Sequence, residues 1–152
     1  MSVREKIKSL GLEIPVATKP IAAYVPAVKA GKLVFTAGQL PLVDGKILFP
    51  GKVDGGVTPE QAKSAAQVCA LNAMAALNLV DDVDNVKRIV KITCFVNGVS
   101  GFINAPFVAN GASELFIGIW GEEFGKHART AIGVAELPLD APVEVEVIFE
   151  LN

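Results

Sequence analysis

Histidine, cysteine and tyrosine are almost missing from this chain. A single histidine, His127, among 152 residues excludes multi-histidine metal centres and most carboxylate–histidine ones. Two cysteines, Cys69 and Cys94, sit in apolar segments at no ligand or disulfide spacing, and read as core thiols. Cys94 has no nearby positive partner in sequence to activate it. Charge is thin as well. Asp, Glu, Lys and Arg make up 20% of the chain, and 14 basic residues against 16 acidic ones give a net charge of −2. That balance supplies no basic stripe for phosphates and argues against nucleic acid as a partner.

Other absences narrow the classes further. The first residues, MSVREKIKSLGLEIP, lack the apolar run of a secretory signal. The uncharged stretch from Ile92 to Ser113 holds Asn97, Gly98, Ser100, Gly101, Asn104, Pro106 and Asn110, which a lipid-facing helix does not tolerate together. The expectation is a soluble, cytoplasmic protein with no membrane contact. No Gly-x-Ser-x-Gly elbow accompanies His127. Gly31-Lys32 and Gly125-Lys126 lack the upstream glycine and following Ser/Thr of a phosphate loop.

What is present is apolar. Hydrophobic residues reach 51%, which excludes disorder and slightly exceeds the needs of one small core. Part of the surface is therefore expected to lie between subunits. The chain contains no repeat and no linker, so residues 1–152 read as a single domain. A short helix over 3–10 precedes two β-rich runs, Ile21–Ala30 and Leu33–Gln39, joined at Gly31. Residues 41–57 read as loop. Thr58-Pro59-Glu60-Gln61 is a capping box with proline at the first helical position, and predicts a helix to about Val80. A strand over Arg88–Asn97, a helix over 106–121, and a final pair of strands, Arg129–Glu136 and Val143–Leu151 around Leu137-Pro138-Leu139-Asp140, complete a β-β-α-β-α-β-β order. The fold class is α+β, with two helices on one face of a mixed sheet.

Alternation along the last strand separates Val143, Val145, Val147 and Phe149 from Glu144, Glu146, Ile148 and Glu150. The glutamate face is either a solvated antiparallel surface or a face meeting another subunit, with Glu144 or Glu146 in a cleft. Arg129 opens the preceding strand, where a guanidinium suits bidentate capture of a carboxylate; its plainer role is a strand-edge pair with a glutamate. Tyr24, the only tyrosine, reads more simply as a core residue than as a functional one. Glu122-Glu123 reads as a solvated turn.

Four segments carry a resemblance. They are YVPAVKAGKLVFTAGQLPL, VKRIVKITCFVNG, NGASELF and HARTAIGVAELPLDAPVEVEVIFEL, and together with their surroundings they extend over nearly everything from about residue 20. The chain resembles the reactive intermediate deaminase family, also called YjgF-like or putative endoribonucleases, with a chorismate-mutase-like fold. The resemblance implies a homotrimer with clefts between neighbouring subunits. It implies no cofactor and no metal. It also implies a small carboxylate-bearing metabolite as ligand: 2-imino or 2-enamino acids hydrolysed to 2-keto acids and ammonia.

By the same resemblance, Arg129 holds the substrate carboxylate and Glu144 orients the attacking water. Tyr24, Ala37, Gly38, Asn110 and Ala131 line or adjoin the cleft. Short members usually carry serine where this chain has Ala37, and often a thiol or hydroxyl residue where it has Ala131. The extra N-terminal helix, the longer 43–57 loop and added residues around 118–127 resemble a longer branch of the family. The leading expectation is an imine deaminase. The alternatives are an endoribonuclease or RNA-binding protein, and a non-catalytic trimer that binds a carboxylate metabolite.

Overall fold

The computed structural model describes residues 1–17, 20 and 22–152. Helix α1 (Val3–Ser9) is held by a capping box, in which Ser2 Oγ accepts from the Glu5 amide and Glu5 accepts from the Ser2 amide. Strands β1 (Ala27–Ala30) and β2 (Leu33–Thr36) form a hairpin around Gly31. Its φ of 60° is the left-handed value that the tight turn requires. The first run is shorter than the sequence suggested. Residues 22–24 form a bend, and Ile21 lies outside the described residues. The second run stops at Thr36, leaves the ladder at Ala37-Gly38 and touches it again where Gln39 bridges Val145.

Residues 41–57 are not all loop. Leu42–Val43 pairs antiparallel with Lys46–Ile47, and Lys52–Val53 pairs parallel with Gly56–Val57. Val53 and Val57 are core residues, which is why this segment is pinned. Helix α2 (Pro59–Leu77) starts at the Thr58/Gln61 capping box as expected. It ends short of Val80, because Asn78 leaves the helix and accepts from the Val83 amide. Strand β3 (Val86–Asn97) follows, then α3 (Ala105–Gly125), β4 (Ala128–Val134) and β5 (Val143–Leu151).

Helix α3 runs past the expected end at 121. It bends at Gly121, whose φ of 76° takes the chain out of helical geometry, and a last turn carries Glu122 and Glu123. Those residues are thus helical rather than a turn, and Glu122 pairs with Lys126. Trp120 Nε1 donates to the Val86 carbonyl at 3.2 Å and ties this end to β3.

The five strands lie in the order β1-β2-β5-β3-β4. All neighbours are antiparallel except β3 and β4, which α3 joins as a parallel crossover. The last two strands therefore do not pair with each other. β5 inserts between β2 and β3, and β4 is left as an edge. Helices α2 and α3 cover one face, as the alternation required. Val143, Val145, Val147 and Phe149 are buried, and Phe149 meets Phe116 of α3 edge-on at 6.1 Å. The two helices pack closely at Gly111, where a Cβ would collide with the Lys63 backbone. No helix among the described residues is long and apolar enough to cross a membrane.

Candidate functional site: an arginine half and a glutamate half

Arg129 enters β4 opposite Ile92, which is itself opposite Val147. Residues in register share a face, and Ile92 and Val147 are buried under the helices. Arg129 therefore leaves the sheet on its helical side, at the open edge. There Nη1 donates to Asn110 Oδ1 at 2.7 Å and to Ser113 Oγ at 3.2 Å. Asn110 and Ser113 are three apart on α3 and face the same way. Among the described residues no carboxylate pairs with Arg129, so its simpler role as half of a strand-edge ion pair is overturned. Ala131, two residues on, lies on the same face opposite Cys94 and packs against the core.

Cys94 does gain the positive neighbour that the sequence did not reveal, yet burial dominates. The thiol is pushed up to about 12 despite the opposing pull of Arg129. Cys69 is likewise buried and raised, first by loss of solvent. Both cysteines are free and inert, as expected of core thiols.

Glu144 belongs to a different surface. It lies opposite Phe95, which lies opposite Ile132, on the face that the helices leave bare. Its carboxylate rests against Gly38, where a Cβ would overlap Oε1. Only glycine permits that approach. Burial, and then the nearby charge of Glu146, raise the Glu144 pKa above its ordinary value. Ala37 precedes Gly38, and its amide donates to the Pro26 carbonyl at 2.8 Å. This bond ties the segment bearing Tyr24 to the glutamate side. Tyr24 is 57% exposed and so is not the core residue that a lone tyrosine suggests. Around Glu144 the bare face exposes Val28, Phe35 and Ile132.

The structure thus sorts the expected residues into two groups. Arg129, Asn110 and Ala131 form one; Glu144, Gly38, Ala37 and the Tyr24 segment form the other. Two strand spacings and three residues of rise put Arg129 and Glu144 roughly 14 Å apart, on opposite faces. Sequence reasoning missed Ser113 and His127. His127 Nδ1 donates to the Gly125 carbonyl at 2.7 Å, and its Nε2 lies 3.0 Å from Ser113 Oγ. The available signals were the three-residue spacing of Asn110 and Ser113 and the two-residue spacing of His127 and Arg129. Among the described residues, no group of three or more His, Cys, Asp or Glu could hold a metal ion.

Residues 4–151 match the family described as "YjgF/chorismate mutase-like, putative endoribonuclease". The chain belongs to this family. Protein TCP17 of Trypanosoma cruzi is 40% identical over 99% of this chain and 94% of its own. A 2-iminobutanoate/2-iminopropanoate deaminase of Salmonella typhimurium is 34% identical over 84% of this chain and 87% of its own. The crystal structure of a "putative endoribonuclease" from Shewanella oneidensis superposes with a TM-score of 0.93 at 28% identity, covering 99% of this chain and all of that one. The mixed α+β sheet with its helices on one face is thus the YjgF-like fold.

Proposed function

We propose that this YjgF-like protein hydrolyses small 2-imino acids to 2-keto acids and ammonia, in a cleft that two subunits of a homotrimer complete. The observation that carries the reading is Arg129: a guanidinium fixed by two neutral acceptors, with no carboxylate of its own among the described residues. Nη1 is occupied by Asn110 and Ser113, which leaves Nε and Nη2 as a fork for a carboxylate. The family relatives named 2-iminobutanoate/2-iminopropanoate deaminase support the same substrate class.

Glu144 supplies the second role. Hydrolysis adds water to the C=NH₂⁺ carbon and expels ammonia, so R–C(=NH₂⁺)–COO⁻ plus H₂O gives R–CO–COO⁻ plus NH₄⁺. A carboxylate beside the carbon takes a proton from the water as the C–O bond forms and returns it to nitrogen as the C–N bond breaks. A pKa raised by burial suits a group that must hold that proton briefly. A small imino acid cannot span both groups in one chain. The Arg129 of one subunit therefore meets the Glu144 of its neighbour, and the exposed Val28, Phe35 and Ile132 are the apolar part of that contact.

The test supplies 2-aminoacrylate from a dehydratase and measures keto acid and ammonia against the spontaneous rate. Acceleration by the protein is expected. Keto-acid binding without acceleration would replace the enzyme by a carboxylate-binding module, and cleavage of RNA instead would replace it by a nuclease.

A further inference from the structure

Arg129 does not stand alone on its side of the sheet. The Gly125 carbonyl can only accept, so His127 Nδ1 carries the proton and neutral Nε2 is an acceptor. Nε2 then takes the Ser113 hydroxyl proton, and the Ser113 oxygen turns its lone pair to Arg129 Nη1. The direction of every bond follows from one backbone carbonyl. Ser113 is buried at 8% exposure, and the His127 ring stands edge-on to Phe116 at 6.1 Å. The ring cannot be replaced by water without emptying that contact.

We propose that His127 is a positioning residue, which fixes the Arg129 fork by orienting the Ser113 hydroxyl. This rests on the reading of Arg129 as a carboxylate anchor. His127 touches no substrate and acts only through Ser113. Protonation of His127 would make Nε2 a donor. Two donors would then point at one hydroxyl oxygen, and two cations would share one hydroxyl. Burial first, and then Arg129, hold His127 below its ordinary pKa, so the acceptor form prevails at neutral pH. Arg129 is the charge that reaches it. Helix α3 presents Ser113, Phe116 and the Gly125 carbonyl; Glu122 and Lys126 pair with each other. On β3, Cys94 stays an uncharged thiol, and Lys91 lies opposite Ala128 on the other face.

The test uses pyruvate as probe, titrated calorimetrically into the full chain between pH 7.5 and 5. His127→Leu should weaken binding about tenfold at pH 7.5, the loss of one oriented hydrogen bond to a charged group. Ser113→Ala should weaken it by a similar factor, and the double variant by no more than Ser113→Ala alone, because His127 has no other route to Arg129. His127→Gln, whose amide oxygen can accept as Nε2 does, should recover most of the loss. It should also abolish the weakening that the wild type undergoes toward pH 5, while Glu144 stays constant between the two proteins. Additive losses, or the same pH step in wild type and His127→Gln, would overturn the proposal.

A second measurement needs no ligand. The Arg129 side-chain NMR signals should report slow rotation of the guanidinium in wild type and His127→Gln, and fast rotation in His127→Leu and Ser113→Ala. Equal rotation in all four refutes the positioning role. If wild type shows slow rotation that His127→Leu releases, yet binds no pyruvate, the anchor reading fails and the positioning role stands. Circular dichroism melts identify any variant that merely unfolds, in which case His127→Gln decides.

Discussion

The arginine half and the glutamate half are built by opposite means. Arg129 is held by side chains: neutral oxygens of Asn110 and Ser113 on one helix fix a cation and leave its charge unspent. Glu144 is held by backbone: strand alternation aims it and the bare Cα of Gly38 admits it. One is a charge without a counter-ion at a solvent edge. The other is a charge in partial burial with no counter-ion among the described residues, and its pKa rises accordingly. The two lie on opposite faces of the sheet and roughly 14 Å apart, so neither serves as the other's counter-ion within one chain.

The widest gap between the halves should appear on removing Arg129. Arg129→Ala should reduce imine hydrolysis about a thousandfold, and Arg129→Lys nearly as much, since two charge-assisted bonds are lost and an ammonium cannot reproduce the planar fork. Pyruvate binding should vanish with it, and sedimentation should find the trimer intact. Glu144→Gln should instead lower turnover about a hundredfold while pyruvate still binds, because only proton transfer is removed. Retained activity in either variant, measured by ammonia release, would dissolve the division of roles.

Mixing the two inactive variants sharpens the comparison. Co-expressed Arg129→Ala and Glu144→Gln chains should regain activity in about a quarter of the sites, where an intact arginine from one subunit meets an intact glutamate from the next. No recovery would mean that both groups serve one site from the same chain. Gly38→Ala should act on the glutamate half alone. It should push the Glu144 carboxylate aside and cost several-fold in kcat, with pyruvate affinity unchanged.

The smallest effect concerns stability. Burial raises the folded pKa of Glu144 above its ordinary 4.5, so the folded state binds more protons than the unfolded chain between those two values. Stability then increases as pH falls through the folded pKa. At pH 7 the ionised group is a cost. Glu144→Gln should raise the melting temperature there, with the gain shrinking as the pH falls through the raised folded pKa and gone below about 4.5. An unchanged melting temperature at pH 7 would mean that the site solvates Glu144 better than its burial suggests.

The glutamate half was the more legible of the two. A period of two is local, so the sequence VEVEVIFEL already named the faces of β5, and the capping box at Thr58 already placed α2. The arginine half was only partly readable. Asn110 and Ser113 are near neighbours on one helix, but their meeting with Arg129 and His127 requires the α3 crossover to set β4 parallel to β3. Tyr24 misled because an apolar run with one tyrosine looks like a strand, while the structure begins the strand only at Ala27 and makes residues 22–24 an exposed bend. The last two strands misled in a similar way. A short turn between them suggests neighbours, yet β5 finds fuller burial between β2 and β3.

The sequence by itself determined the main helices and strands, the buried face of the sheet, the apolar excess and the scarcity of metal ligands, all of which follow from local periodicity and composition. Only the tertiary structure decided that Arg129 and Glu144 look away from each other. Which face a residue occupies is set within its own strand, but which faces coincide is set by strand order and by the parallel or antiparallel sense of each pairing. Those depend on how a long crossover helix packs, and no local pattern in the chain encodes it.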